Sequence, residues 1–206
     1  PMKNITFEKY QGNGNDFIVI DSRGNDLYKN YKTNKFIDIK KICNRQFGIG
    51  ADGVIFIEEP NEDNYAKMII FNSDGSEAQM CGNGIRCLVE YLHLNDSIKN
   101  KNIDYKIETK AGLKIAKYIK GEITVKMGVP ILDSQNIPTT IDKKINSVPS
   151  HDFIEKNFIN KGYAVGMGNP HLIFFVQDLE SINLSRLGPI FEKNELFPEK
   201  TNVHFC

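Results

Sequence analysis

Residues 80 to 92 read Met80-Cys81-Gly82-Asn83-Gly84-Ile85-Arg86-Cys87-Leu88-Val89-Glu90-Tyr91-Leu92, a cysteine in a Gly-Asn-Gly turn directly before an apolar pattern of helical period. Ile85, Leu88, Val89 and Leu92 recur at the three-and-four spacing of one buried face, and Glu90, Tyr91 and His93 fall elsewhere. The spacing predicts a helix that starts at Cys81. At a helix start, unpaired amide N–H groups and the positive end of the peptide dipoles favour an anion, so a thiol so placed is biased toward thiolate, a base or nucleophile near neutral pH. Gly82 and Gly84 leave those amides open to a ligand. The competing reading is structural: a free cysteine packs as a small hydrophobe, and Gly-Asn-Gly is ordinary turn chemistry. Cys87 reads as packing.

The other cysteines do not build a metal site or a disulfide frame. Cys43, Cys81, Cys87 and Cys206 include no pair at the two-to-four-residue spacing of structural zinc ligands, and His93, His151, His171 and His204 supply no missing pair. No metal is expected. With 206 residues, 40% hydrophobic and 25% charged, the chain can fold around real cores without staples, and no signal peptide points to an oxidising compartment. Lys plus Arg equals Asp plus Glu at 26 each, so no overall field draws nucleic acid or an anionic membrane. No apolar run is long enough to span a bilayer. Small molecules are the expected partners and the cytoplasm the expected location. Pro1 before Met2 reads as a processing remnant.

Working outward, Ile5 to Tyr10 alternates as a half-buried strand, residues 11 to 15 form a glycine-rich turn, and Asp16 to Asp21 carries a second strand, which together predict a hairpin. Thr33 to Phe47 is expected to be an amphipathic helix capped by Thr33 or Asn34 and stopped at Gly48. Gly48-Ile49-Gly50-Ala51-Asp52-Gly53 precedes the apolar strand Val54 to Ile57, the wrong context for a dinucleotide fingerprint, which joins a strand to a helix. Tyr65 to Phe71 is a further strand ending in Asn72-Ser73-Asp74-Gly75-Ser76. Beyond the Cys81 helix, Ile103 to Thr109, Leu113 to Ile119 and Glu122 to Met127 read as an antiparallel meander. The first unit therefore covers residues 1–126 and the second 127–206. In the second, the stretch from Gly128 through Asn146 reads as a crossing, Tyr163 to Met167 and Leu172 to Val176 as strands, Glu180 to Leu187 and Glu192 to Phe197 as brief helices, and Asn202 to Phe205 as a strand where the sequence stops.

Six separated motifs now stand in order: residues 12 to 17 (Gly-Asn-Gly-Asn-Asp-Phe), 48 to 53, 71 to 76, 80 to 87, Met167-Gly168-Asn169-Pro170-His171 and Asn202-Val203. Across essentially the whole chain the set resembles diaminopimelate epimerase. The related proline racemases carry a histidine where Asn83 stands. The resemblance implies an α+β fold of two similar mixed α/β units, each a curved, mostly antiparallel sheet around a central helix, with the second unit incomplete here. It also implies a cofactor-independent isomerase that interconverts LL- and meso-diaminopimelate in lysine biosynthesis, using two cysteines on opposite faces of the α-carbon. By this analogy Cys81 is one of those cysteines. Asn15, Asn72, Asn169 and Asn202 match substrate-binding asparagines, Gly82 and Asn83 the backbone cradle of the α-carboxylate, and His171 a histidine near the reacting centre.

The chain departs from the family pattern at its end. The second catalytic cysteine of an Ala-Cys-Gly-Thr-Gly-like motif and its preceding Glu-Arg pair are absent, and Cys206 lacks the flanking glycines and helix start to replace it. The expectation is therefore a C-terminally truncated or partner-dependent chain, with a homodimer left open. Two rival functions remain at this point: a cysteine hydrolase with His171 as base, and a non-catalytic module that binds an amino acid or another chain.

Overall fold

The computed structural model describes residues 4–34, 37–97 and 103–206. The chain divides into two compact units, Pro1–Met127 and Gly128–Cys206. The first contains β1 (Glu8–Gly12), β2 (Asn15–Asp21), α1 (Leu27–Asn34), α2 (Ile39–Cys43), β3 (Gly53–Glu58), β4 (Ala66–Asn72), β5 (Glu77–Ala78), α3 (Gly82–Asn95), β6 (Asp104–Thr109), β7 (Gly112–Ile119) and β8 (Glu122–Lys126). Its sheet runs β1-β2-β3-β4-β6-β7-β8 with β5 beside β4. Pairing is antiparallel except for β2 with β3 and β4 with β6.

Why this sheet sits at the centre is written in its apolar runs. Val54, Ile55, Phe56 and Ile57 are all fully buried, so β3 faces hydrocarbon on both sides. Alternation then sorts the side chains. Phe17, Val19, Ile55, Ile57, Met68 and Ile70 join α3, while Ile18, Ile20, Val54, Phe56 and Phe71 join Tyr31 of α1 and Ile39 and Cys43 of α2. The result is helix, sheet, helices. On α3, Ile85, Leu88, Val89 and Leu92 are each fully buried, as their spacing predicts. Burying side chains of this size contributes about 1.5–3 kcal/mol each, which fixes the helix, and with it Cys81, against the sheet.

The Thr33–Phe47 helix is corrected by the structure. Thr33 and Asn34 end α1, residues 35 and 36 lie outside the described set, and α2 is only Ile39–Cys43, capped by the Asp38 side chain on the Lys41 amide. Asn44 stops it: its side chain accepts from the amides of Gln46 and Phe47, turning the chain before Gly48. A β-carbon on Gly48 would run into the carbonyl oxygens of Lys41 and Ile42, and one on Gly53 into that of Phe71. Two glycines of the Gly48–Gly53 run thus serve close backbone approach.

The second unit contains β9 (Lys144–Ile145), β10 (Val148–Glu155), β11 (Phe158–Gly166), β12 (Pro170–Phe174), α4 (Leu184–Glu192) and β13 (Asn202–Phe205), in sheet order β13-β12-β11-β10-β9. Only β12 with β13 is parallel. Phe153, Phe158, Ala164, Leu172 and Phe174 pack with Leu187 and Phe191 of α4 into one core. The sequence reading missed β10, whose Pro149 and alternating polar residues masked its period. It also set both helices wrongly: α4 begins at Leu184, where Asn183 caps the Arg186 amide, and runs through Pro189 to Glu192, whereas Glu195 to Phe197 lie in turns.

Candidate active site

Cys81 is the N-cap of α3. Its backbone is extended (φ −143°, ψ 123°), and its Sγ accepts from the Gly84 amide at 3.4 Å, the bond a serine or aspartate cap makes. The sulfur also donates to Asn15 Oδ1 at 3.7 Å. Cys81 is half-buried, while Cys43 and Cys87 are sealed in the two cores of the first unit, where burial raises both thiols and pushes Cys87 up to about 11. Cys206 is exposed at the end of β13.

Around Cys81 the structure gathers Asn15, Gly82 and Asn83. Asn83 Oδ1 accepts from Asn13 Nδ2 at 3.3 Å, which ties the first turn of α3 to the β1–β2 hairpin, and the Met127 side chain lies against Gly82. Behind Asn15 stands a charged cluster. Asn15 Nδ2 donates to Asp52 Oδ2 at 2.9 Å; Arg45 reaches Asp16 at 2.7 Å and Asp52 at 2.9 Å; Lys9 reaches Asp16 at 2.9 Å. The Arg45 guanidinium above all, then Lys9, holds the Asp16 carboxyl well below the usual carboxylate range against the opposing effect of burial. Asn72, at the end of β4, binds Ser76 through both its amide N–H (2.9 Å) and its side chain (3.0 Å), and the Ser73 amide donates to the Asp52 carbonyl at 2.9 Å. The strand ends carrying Asn15, Asp52 and Asn72 therefore adjoin one another.

In the second unit the structure brings Asn169, His171 and Asn202 together. His171 pairs with Asn202 across the parallel β12–β13 ladder, and Asn202 Nδ2 donates to the Pro170 carbonyl at 3.1 Å. His171 Nε2 lies 2.8 Å from Asn169 Oδ1, and Nδ1 lies 2.8 Å from His204 Nε2. An amide oxygen only accepts, so Nε2 of His171 carries the proton and His204 donates to Nδ1. Burial first, and the neighbouring His204 second, lower the His171 pKa, which favours the neutral ring.

Several residues were overlooked in the sequence. Asn13 and Asp52 lay inside motifs already quoted, and His204 shares a strand face with Asn202 by simple alternation. Arg45 and Lys9 had no local signal, because only the fold carries them to Asp16.

Comparison with known proteins identifies the family. The family model for diaminopimelate epimerase matches residues 7–132. Diaminopimelate epimerase of Prochlorococcus marinus strain NATL2A is 50% identical over 206 residues, covering 99% of this chain and 72% of the relative. That of strain NATL1A is 49% identical with the same coverage. Among solved structures, a hydroxyproline epimerase from Agrobacterium vitis matches with a TM-score of 0.56 at 14% identity, over 85% of this chain and 53% of that one. The chain thus spans about half the length of that structure, and at such identity the likeness speaks for the fold. Together with the sequence identity across nearly its whole length, these matches place the chain in the diaminopimelate epimerase family.

Proposed function

We propose that Cys81 is an acid/base residue acting at the α-carbon of diaminopimelate, in the cofactor-independent interconversion of its LL and meso forms. The observation that carries this reading is the position of the sulfur as N-cap of α3, with a backbone N–H on it and the open amides of the first turn beside it. An α-proton next to a carboxylate is a very weak acid, so its removal needs fixed donors on the carboxylate where negative charge develops. The start of α3 at Gly82 and Asn83 provides them without reorganisation. The thiolate takes the proton, the electron pair passes into the carboxylate, and a second acid must deliver a proton to the opposite face for configuration to invert.

Asn15, Asn72, Asn169 and Asn202 complete the reading as substrate contacts. Their amides offer donors and acceptors without adding a net charge that would disturb the thiolate. His171 serves as a support, since both its ring nitrogens are engaged by His204 and Asn169. That engagement also argues against the hydrolase alternative, which needs an imidazole free to take a proton. A small zwitterionic substrate suits the balanced charge better than nucleic acid does, and no helix among the described residues is long and apolar enough to cross a membrane. A cytoplasmic location and a homodimer belong to the same reading.

The test is incubation with each diaminopimelate stereoisomer in D2O, with α-deuterium read by NMR. Cys81-dependent incorporation is expected. Incorporation by the Cys81→Ala variant at the parent rate refutes the assignment.

A further inference from the structure

We infer that Asp52 is a positioning residue for the Cys81 sulfur, acting through the side-chain amide of Asn15. The two ends of a primary amide are nearly isosteric, so which end faces a neighbour is decided by its partners. Asp52 has only acceptors to offer. Its Oδ2 takes Asn15 Nδ2 at 2.9 Å, which turns Asn15 Oδ1 toward the sulfur, 3.7 Å away. Asp52 is itself anchored: Oδ2 also accepts the Asp16 amide at 3.1 Å, Oδ1 accepts Arg45 at 2.9 Å, and the Asp52 amide donates to the Asp16 carbonyl at 3.0 Å.

The sulfur therefore lies between two opposed partners. The Gly84 N–H, at 3.4 Å, stabilises a thiolate; the Asn15 carbonyl, which accepts an S–H, stabilises the thiol. A group that takes a proton in one direction of a reversible epimerisation and gives one back in the other must be locked in neither state. Asp52 keeps that balance by preventing the Asn15 amide from turning over and offering its N–H to sulfur. The inference rests on Cys81 being the reacting sulfur of the proposed function.

The test needs no substrate, so its failure is separate from that of the epimerase reading. In Asp52→Ala no carboxylate holds Asn15 Nδ2, so the Asn15 amide is released to turn and donate its N–H to sulfur. Alkylation of Cys81 by iodoacetamide, resolved by peptide mass spectrometry with Cys206 as internal reference, is expected to be about tenfold faster than in the parent at about pH 7, the scale of one hydrogen bond to a charged group. It converges with the parent at about pH 10, above the ordinary thiol value of about 8.5. The acceleration vanishes in an Asn15→Ala background. Asp52→Leu, which fills the same space without an acceptor, gives the same rise and pH dependence and decides the matter should the alanine variant not fold. A rate equal to the parent at about pH 7, an acceleration that persists at about pH 10 or without Asn15, or unfolding of both Asp52 variants while Asn15→Ala folds, overturns the inference.

Discussion

The first unit buries both faces of its central strands β2 and β3, whereas the second shows one packed core beside an outward face that carries Ile154, Ile159 and Phe175 at 71%, 72% and 64% exposure. Their candidate residues differ in the same sense. In the first unit the decisive groups are main-chain amides at a helix start, held by four fully buried side chains of α3. In the second they are side chains at a strand end, held by one another in the chain from His204 through His171 to Asn169. Backbone donors fixed by a core are insensitive to pH and to surface substitution. An imidazole chain at a sheet edge is sensitive to both.

That contrast sets an order of expected effects. Cys81→Ala removes the proton-transfer group, and deuterium exchange into diaminopimelate is expected to fall by about 10²–10⁴-fold, the usual contribution of a positioned acid or base; a loss below tenfold would move the chemistry elsewhere. Leu88→Ala, two turns into α3, is expected to destabilise the first unit by about 2–5 kcal/mol in urea unfolding, because α3 and the sheet close on that position.

The pH response divides the units next. The His171 pKa is lowered in the fold from its ordinary 6.5. The unfolded chain therefore binds the proton more readily, so this contribution to stability is complete above about pH 6.5 and is lost as the pH falls through the lowered folded value. In the first unit Glu108, held by the Asn64 side chain and the Asn61 and Glu62 amides, is brought down to about 2. Its contribution is present above the ordinary value of 4.5 and is lost only as the pH falls through about 2. Hydrogen-exchange protection, taken against the intrinsic rate at each pH, should accordingly fall in β12 and β13 on acidification before it does at the Asn61–Glu108 contact; the reverse order would break the comparison. Smallest of all, Phe175→Ser on the exposed face is expected to alter stability by no more than about 0.5 kcal/mol, while Phe174→Ala next to it costs about 3–5 kcal/mol.

How legible this was in the sequence follows the same division. The first unit's central strands and the Cys81 helix announced themselves through apolar runs and a clean helical period, because burial on two faces leaves little freedom in composition, whereas α1 and the two-residue β5 were not read. The Thr33–Phe47 helix failed because its apolar spacing ignored local turn chemistry: Asp38 and Asn44 bind the backbone and confine α2 to five residues. In the second unit a one-sided sheet gave weak alternation, and β10 passed unseen. At the site, Cys81 stood out by its glycine-flanked turn, whereas each asparagine alone reads as a turn residue and takes its proposed role from the family resemblance. Arg45 and Lys9 were not readable, since an ion cluster assembled from three separate segments leaves no spacing to detect.

The most direct test of the central claim, that the sulfur at the start of α3 meets the substrate, is protection from alkylation. Diaminopimelate is added to the chain, and iodoacetamide labelling is followed at Cys81 and Cys206 by peptide mass spectrometry. The account predicts that diaminopimelate slows labelling at Cys81 in a saturable way and leaves Cys206 unchanged. Labelling of Cys81 at an undiminished rate under saturating diaminopimelate would contradict it.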